Sequence, residues 1–251
     1  MALNIFLNGL SGRLNQTLAH VAPEVGAEIC TGGVNPRENP DPGIAACDAI
    51  IDFSFHTATL PLLERAVKHN KPIVIATTGH TPEEREAILA YQTKIPMVWS
   101  GNYAFGVNVF FHLVRQAARL LGPEFNAEVV ELHRAGKKDS PGGTAEQLGR
   151  IICEERGWND KESVTHGRKG IQQNRPKEEV CIHALRLGEV VGEHITYFAS
   201  PFERLEITQR SQDKSTFARG AFKAAEWALD KPAGLYTMED ILGISTLFKK
   251  S

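Results

Sequence analysis

The chain reads as an α/β protein in two parts: a doubly wound parallel sheet, then an α+β part with a mixed or antiparallel sheet. Three features of its 251 residues predict this. Short apolar runs alternate with helix-like stretches through the first hundred residues, and glycines close the first run. After about Asn108 the alternation gives way to longer strands around a basic, glycine-rich loop. Strand, turn, helix, strand in repeated order implies parallel strands joined by right-handed crossovers.

The elements follow in order. Ala2–Leu7 is apolar enough for a buried strand, with Gly9 and Gly12 just beyond it. Arg13–Val21 places Leu14, Leu18 and Val21 at helical spacing. Ala27–Thr31 and Ala49–Phe53 predict the second and third strands, the latter followed by a helix over Leu60–His69. A fourth strand, Pro72–Thr77, precedes Thr81-Pro82-Glu83-Glu84, in which Thr81 is the N-cap, Pro82 the first helical residue and Glu84 the capping-box acid. The fifth strand, Pro96–Ser100, ends at Gly101-Asn102. Beyond it come a helix (Val109–Leu121), an alternating strand (Glu128–His133), the loop Arg134–Gly143 and a helix from Thr144 to about Arg156. Trp158–Lys177 is polar and irregular. Strands at Glu179–Leu187, His194–Ala199 and Glu203–Gln209 predict an antiparallel meander. An alanine-rich helix, Phe217–Leu229, closes the pattern. The expected domains are residues 1–104 with 215–251, and residues 105–214.

Composition narrows the function classes. Lys plus Arg total 28 against 30 Asp plus Glu, a net charge of −2. That balance argues against a dedicated nucleic-acid binder or an acidic-membrane binder, while leaving room for a local basic pocket. Cys30, Cys47, Cys153 and Cys181 form no Cys-x-x-Cys pair, so a zinc ribbon, a disulfide scaffold and a thioredoxin-type centre lack support. No run approaches the roughly 20 apolar residues of a membrane span. The opening residues have no basic region, and Asn4 and Asn8 interrupt them, so they read as a strand rather than a signal peptide. A cytoplasmic protein is expected. His112, His183 and His194 have no partner at metal-ligand spacing, and packing or surface roles are expected for them. No metal is predicted. His194, beside Glu193, is the second candidate for acid–base work after the histidine described below, although a structural role at a turn end fits it better.

In a doubly wound sheet the first βα turn commonly holds a pyrophosphate, where glycine admits the anion and the helix start supplies N–H groups. Here that turn is Gly9-Leu10-Ser11-Gly12-Arg13-Leu14. The spacing is G-x-x-G rather than G-x-G-x-x-G, and Asn15 stands where a third glycine would be, so a nucleotide cradle and a plain turn fit equally. Ala76-Thr77-Thr78-Gly79 offers a second anion-competent turn. The acid that reads the ribose of NAD is missing from Gly32-Gly33-Val34-Asn35-Pro36-Arg37, and Arg37 leans toward NADPH.

The densest chemistry runs from Glu128 to Ala145, with Glu131, His133, Arg134, Lys137, Lys138 and Asp139 ahead of Pro141-Gly142-Gly143-Thr144. The glycine pair opens a helix whose first N–H groups, at Gly143 and Thr144, suit a carboxylate or phosphate. No Lys follows the glycines, so this is not a P-loop. From these residues alone, a solvated basic loop capped by Thr144 is as good a reading as an anion site.

This stretch resembles the motif E-x-x-E-x-H-x-x-x-K-x-D-x-P-S-G-T-A of the 4-hydroxy-tetrahydrodipicolinate (dihydrodipicolinate) reductase family, differing at its fixed positions only in Gly142, where the family has serine. Other blocks resemble the same family in order: Gly9–Arg13, Ile51-Asp52-Phe53-Ser54, Thr77-Thr78-Gly79, Asn102–Asn108, Arg186–His194 and Phe217–Ala221. The resemblance implies a Rossmann-like first domain and reduction of a cyclic, unsaturated dicarboxylate with NADH or NADPH. It implies that Gly9, Leu10, Ser11, Gly12, Arg13 and Leu14 hold the pyrophosphate. Ala76, Thr77 and Thr78, then Gly101, Asn102, Tyr103 and Ala104, would line the nicotinamide. His133 would be the general acid and Lys137 a cation assisting it, with Gly143 and Thr144 on a substrate carboxylate and Arg134 as a further ligand. A dianion that gains negative charge on accepting hydride favours such cations and donors, and an imidazole suits a proton donor near neutrality. A homotetramer built through the second domain's sheet is also implied. Against the family pattern, Arg134 replaces a second histidine, Phe55 stands where some members carry an arginine for the NADPH phosphate, and Lys214 where arginine is frequent. Two other readings remain open at this point: a non-catalytic paralogue binding nucleotide or dicarboxylate, and a reductase of another cyclic imine.

Overall fold

The computed structural model describes residues 2–9, 13–30, 39–171 and 174–244, with Arg13 described by its backbone alone. Leu10, Ser11, Gly12 and the ribose-reading stretch 32–37 lie outside the described residues, as does the Arg13 side chain.

The chain begins with β1 (Leu3–Asn8), α1 (Arg13–Val21), a 3₁₀ turn (Ala22–Val25), β2 (Ala27–Cys30), α2 (Asp41–Ala46), β3 (Ala49–Asp52) and α3 (His56–Lys68). It continues through β4 (Ile73–Ile75), α4 (Pro82–Leu89), β5 (Pro96–Trp99), α5 (Phe105–Leu121), β6 (Asn126–His133) and α6 (Gly143–Arg156). Then come α7 (Asp160–Ser163), β7 (Val164–His166), β8 (Val180–Arg186), β9 (Gly192–Ala199), β10 (Arg204–Ser211), α8 (Ser215–Ala228), β11 (Gly234–Tyr236) and α9 (Met238–Ile241). Two compact units result, Met1–Phe105 with Lys214–Ser251, and Gly106–Asp213.

The first unit is a six-stranded sheet in the order β11-β5-β4-β3-β1-β2, every neighbouring pair parallel. Alternate strand residues fill two cores, as a sheet buried on both faces requires. Ile5, Leu7, Ile51 and Val98 pack with Leu18 of α1 and the small face of α8. Phe6, Ile50, Ile73 and Met97 pack with Ile44, Leu63 and Ile88 from α2, α3 and α4. The predicted capping box holds: Thr81 Oγ1 accepts the Glu84 N–H at 3.2 Å and Glu84 accepts that of Thr81 at 2.8 Å. Helix α3 starts at His56, four residues before its predicted start at Leu60, and carries Pro61 inside it.

The second unit is a mixed five-stranded sheet in the order β10-β9-β6-β8-β7. The expected antiparallel meander is corrected here. Only β9 and β10 form a hairpin, because β6 inserts between β8 and β9, antiparallel to β9 and parallel to β8. The helical crossover through α6 is what makes β6 and β8 parallel. The stretch expected to be irregular, Trp158–Lys177, contains α7 and β7. Ala127, Val129, Ile182 and Phe198 bury one sheet face against α5 and α6.

Candidate active site

In the first unit all strands point the same way, so their carboxyl ends gather at one edge. A cavity of 600 Å³ opens there, lined by Leu14, Phe55, Ala76, Thr78, Gly101 and Asn102 among others. Gly9 has φ +89°, and a β-carbon on it would stand 3.1 Å from Ser54 Cβ, so its backbone needs glycine on both counts. Asn15, standing in place of a third glycine, is fully buried and gives its side-chain amide to the carbonyls of Asn8 (3.3 Å), Phe53 (3.2 Å) and Gly9. It fastens the helix start to two strand ends.

Asp52 does similar work from below. Its buried carboxylate accepts from Asn8 Nδ2 at 3.0 Å, Thr59 Oγ1 at 2.9 Å and the Ser54 N–H at 3.2 Å, and from the Ser54 hydroxyl. Thr77 lines the cavity, yet its hydroxyl turns to the strand ends, accepting from Ser54 N at 3.0 Å and donating to Asp52 O at 3.2 Å. Tyr103 lies beneath the floor, its hydroxyl held at the carbonyls of Ile75 (2.9 Å) and Val98 (3.0 Å), and burial pushes its pKa up. Ala104, expected to face the ligand, is buried instead, and its N–H donates to Asn102 Oδ1 at 2.9 Å. Phe55 is the opposite case, an aromatic ring 67% exposed on the cavity wall. A glycine with positive φ, small wall residues and this volume fit a dinucleotide.

The second unit gathers the other candidates by strand register. On β6, Glu131 stands opposite His194 of β9, and His133 opposite Arg186 of β8. Side chains alternate along a strand, so Glu131 and His133 share the helix-covered face with those two partners. Gly192 faces the His133 ring: a β-carbon there would lie 3.1 Å from Nε2.

Glu131 is completely buried. Its Oε1 accepts from Arg186 Nη2 at 2.8 Å and from the Gly142 N–H at 3.0 Å. Its Oε2 lies 2.8 Å from His133 Nδ1, an ion-pair separation without the alignment of a hydrogen bond. Burial pushes this carboxyl up, but His133, Arg186 and the Gly142 N–H outweigh it and hold it down at about 2. His194 packs edge-on against His133, ring centroids 5.3 Å apart, and burial with the neighbouring His133 lowers it to about 4. The expected place of His194 at a turn end is corrected: it lies inside β9, while Glu193 turns away to Arg210 at 2.9 Å.

Lys137 reaches Asp139 with an Nζ–Oδ2 separation of 2.5 Å, and the ammonium remains partly exposed. A β-carbon on Gly142 would lie 2.8 Å from Glu131 Oε2 and 3.1 Å from Lys137 Cε, so both side chains border that glycine. Gly142 then serves as the N-cap of α6 without a side-chain cap, and Gly143 and Thr144 form the helix's first turn. Arg134 lies apart from the ion pairs around Glu131, its Nη1 turned to Gly136 of its own loop. The structure therefore brings His133, Lys137 and the α6 start together. Glu131, Arg186 and His194 are the partners that sequence reasoning left without a role at His133. An acid, an arginine and a histidine inside otherwise alternating strands were the available signal.

Two family models match the chain: "Dihydrodipicolinate reductase, N-terminus" over residues 3–103 and "Dihydrodipicolinate reductase, C-terminus" over residues 106–242. A 4-hydroxy-tetrahydrodipicolinate reductase from Akkermansia muciniphila is 43% identical over 98% of this chain and 100% of its own length. Another from Syntrophotalea carbinolica is 37% identical over 96% of this chain and 99% of its own length. Among solved structures, a dipicolinate-bound dihydrodipicolinate reductase from Paenisporosarcina sp. TG-14 has the same fold, with a TM-score of 0.75 at 19% identity, covering 96% of this chain and all of that one.

Proposed function

The chain belongs to the dihydrodipicolinate reductase family, and from that premise we propose how its residues divide the work of the family's reaction. That reaction is the NAD(P)H-dependent reduction of the 4-hydroxy-tetrahydrodipicolinate/dihydrodipicolinate precursor to tetrahydrodipicolinate in lysine biosynthesis. Bound NADH or NADPH supplies the hydride. The strand-end cavity of the first unit binds the dinucleotide, with Gly9 and Leu14 at its pyrophosphate and Ala76, Thr77, Thr78, Gly101, Asn102 and Tyr103 around its nicotinamide. Ala104 supports that wall from behind. Leu10, Ser11, Gly12 and Arg13 are assigned to the same pyrophosphate.

The observation that carries the reading for the second unit is the Glu131–His133 contact of 2.8 Å beside the start of α6. The ring of His133 gives the proton that accompanies the hydride, with the Glu131 carboxylate beside its Nδ1. Lys137 attracts the dicarboxylate and stabilises charge as it develops, with Asp139 holding the ammonium in place meanwhile. The N–H groups of Gly143 and Thr144 take a carboxylate at the helix's positive end, and Arg134 stands at the loop as a further carboxylate ligand.

The open face of the second unit's sheet supports a homotetramer. Val130, Leu132, Ile195 and Tyr197 point away from the helix-covered core and are only half-buried. A Leu132→Glu change is expected to dissociate the assembly in sedimentation. Among the described residues no helix is long and apolar enough to cross a membrane; a cytoplasmic location is part of this reading, and cell fractionation tests it.

The direct test is turnover. Purified protein is expected to oxidise NADH or NADPH only when the precursor is supplied, freshly generated by its synthase. Binding of nucleotide with no turnover on that precursor would replace this reading with a binding module.

A further inference from the structure

We infer that Glu131 is a positioning residue for His133: its buried carboxylate decides which ring nitrogen is held and which is presented to the substrate. The inference rests on the reading of His133 as the proton donor.

A carboxylate with no access to water has to be satisfied by protein donors. Glu131 is satisfied asymmetrically. Oε1 takes both Arg186 Nη2 and the Gly142 N–H, at 2.8 and 3.0 Å. These two anchors come from β8 and from the loop ahead of α6, so the carboxylate cannot turn without losing one of them. Oε2 is thereby kept beside His133 Nδ1, at 2.8 Å. An anionic oxygen at that distance favours a proton on Nδ1. In the charged ring the second proton then sits on Nε2, the nitrogen that gives it up. After transfer the ring is left as the Nδ1–H tautomer, still beside the same oxygen.

Two glycines make room for this arrangement. Gly192 faces Nε2, where a β-carbon would lie 3.1 Å away and narrow the approach to that nitrogen. At Gly142 a β-carbon would stand 2.8 Å from Oε2. A residue with a side chain there would press on Oε2 and on the Lys137 stem, and the carboxylate could yield only by loosening an anchor and moving off the His133 ring. Where the family pattern has serine, this chain therefore couples the glycine to the carboxylate's position. The other groups around the pair are Arg186 from β8 and His194 from β9, with Lys137, paired to Asp139, bordering Gly142. Arg186 is engaged with Oε1, and His194 is neutral near pH 7, burial having lowered it to about 4. That leaves Glu131 as the acid in contact with the ring.

The test compares Glu131→Gln, Glu131→Asp, Gly142→Ala and His133→Ala in the full-length enzyme. Glutamine preserves the size of the side chain. With its oxygen on Arg186 and Gly142, it turns an NH₂ toward Nδ1. Glu131→Gln is expected to lower kcat at least tenfold with the KM for NADH unchanged. It should also move the alkaline limb of the kcat–pH profile to lower pH, and ¹⁵N NMR should show the neutral ring of residue 133 switched from the Nδ1–H to the Nε2–H tautomer. Glu131→Asp keeps the charge and restores part of the profile, while Gly142→Ala shifts the limb in the same direction as the glutamine variant. These two carry the test if thermal melting shows that the glutamine variant is unfolded. An unmoved limb and tautomer in folded variants, with His133→Ala inactive, would overturn the role of Glu131 alone. Full turnover by His133→Ala would overturn the reading beneath it.

Discussion

The backbone carbonyl of Tyr103 is seated against Gly220, where a β-carbon would stand 1.7 Å from the oxygen. Gly220 is inside α8, a place where alanine is ordinarily preferred by about 1 kcal/mol. The contact reverses that preference. Tyr103 cannot retreat, because its hydroxyl is tied to the carbonyls of Ile75 and Val98. Gly220→Ala is expected to destabilise the protein by about 1–3 kcal/mol, the usual range for overpacking. It should also raise the KM for the cofactor, since the residues just ahead of Tyr103 form a cavity wall. Urea unfolding checks the first effect; a variant as stable as the parent would contradict it.

Phe55 presents an exposed ring to the dinucleotide cavity and offers no side-chain cap to α3. Its replacement should therefore act on cofactor binding and leave the fold intact. Phe55→Ala is expected to raise the KM for NADH and NADPH several-fold. Phe55→Arg would bring a guanidinium that pairs with the 2′-phosphate, raising the NADPH-to-NADH ratio of kcat/KM about tenfold. Steady-state kinetics with both cofactors decides; an unchanged ratio would remove residue 55 from the determinants of preference.

The parallel sheet was legible because β1, β3 and β4 are apolar runs with buried centres, and α4 because Thr81 and Glu84 announce it locally. The three-residue strands β7 and β11 are too short to show a period. The insertion of β6 between β8 and β9 is a non-local pairing, and a hairpin reading takes neighbours in sequence for neighbours in space. The same limit applies to the site. His133, Lys137 and the start of α6 lie within one continuous stretch. Arg186, 55 residues from Glu131, reaches it only through the β6–β8 register. Asn15 and Asp52 were visible as polar residues in apolar surroundings, but their roles depend on which carbonyls and hydroxyls three strand ends bring to them.

Acid should weaken the protein in two stages. Burial holds His194 at about 4 instead of 6.5, with Glu131, His133, Lys137 and Gln209 around it. The unfolded chain takes up this proton first, so the stability is complete above about pH 6.5 and is lost as pH falls toward 4. A shift of that size corresponds to about 3 kcal/mol as an upper figure. Glu131, held at about 2, contributes stability above its unfolded value near 4.5 that is lost as pH falls toward 2. His194→Gln should remove the first stage and keep the second. Urea midpoints measured from pH 7 to 3 test this, and an identical slope in parent and variant between pH 6.5 and 4 would refute it.

Lys137 can be separated from the fold more cleanly than any other proposed site residue. Its ion pair with Asp139, whose side chain is 61% exposed, is of the kind that adds at most about 1 kcal/mol to stability. Lys137→Met keeps the apolar stem and removes only the ammonium, so melting should stay within a few degrees of the parent. Turnover should not. Losing a cation aimed at charge that develops on the substrate costs about 10²-fold in rate by analogy with single-donor losses at other anionic transition states, and the substrate KM should rise because the ground-state carboxylate loses the same partner. Nucleotide affinity is expected to be unchanged, since the described residues that line the dinucleotide cavity belong to the first unit. Fluorescence titration with NADH alongside single-turnover kinetics reads both quantities in one preparation. A variant with weakened NADH binding and unaltered chemistry would assign Lys137 to the cofactor instead of the dicarboxylate.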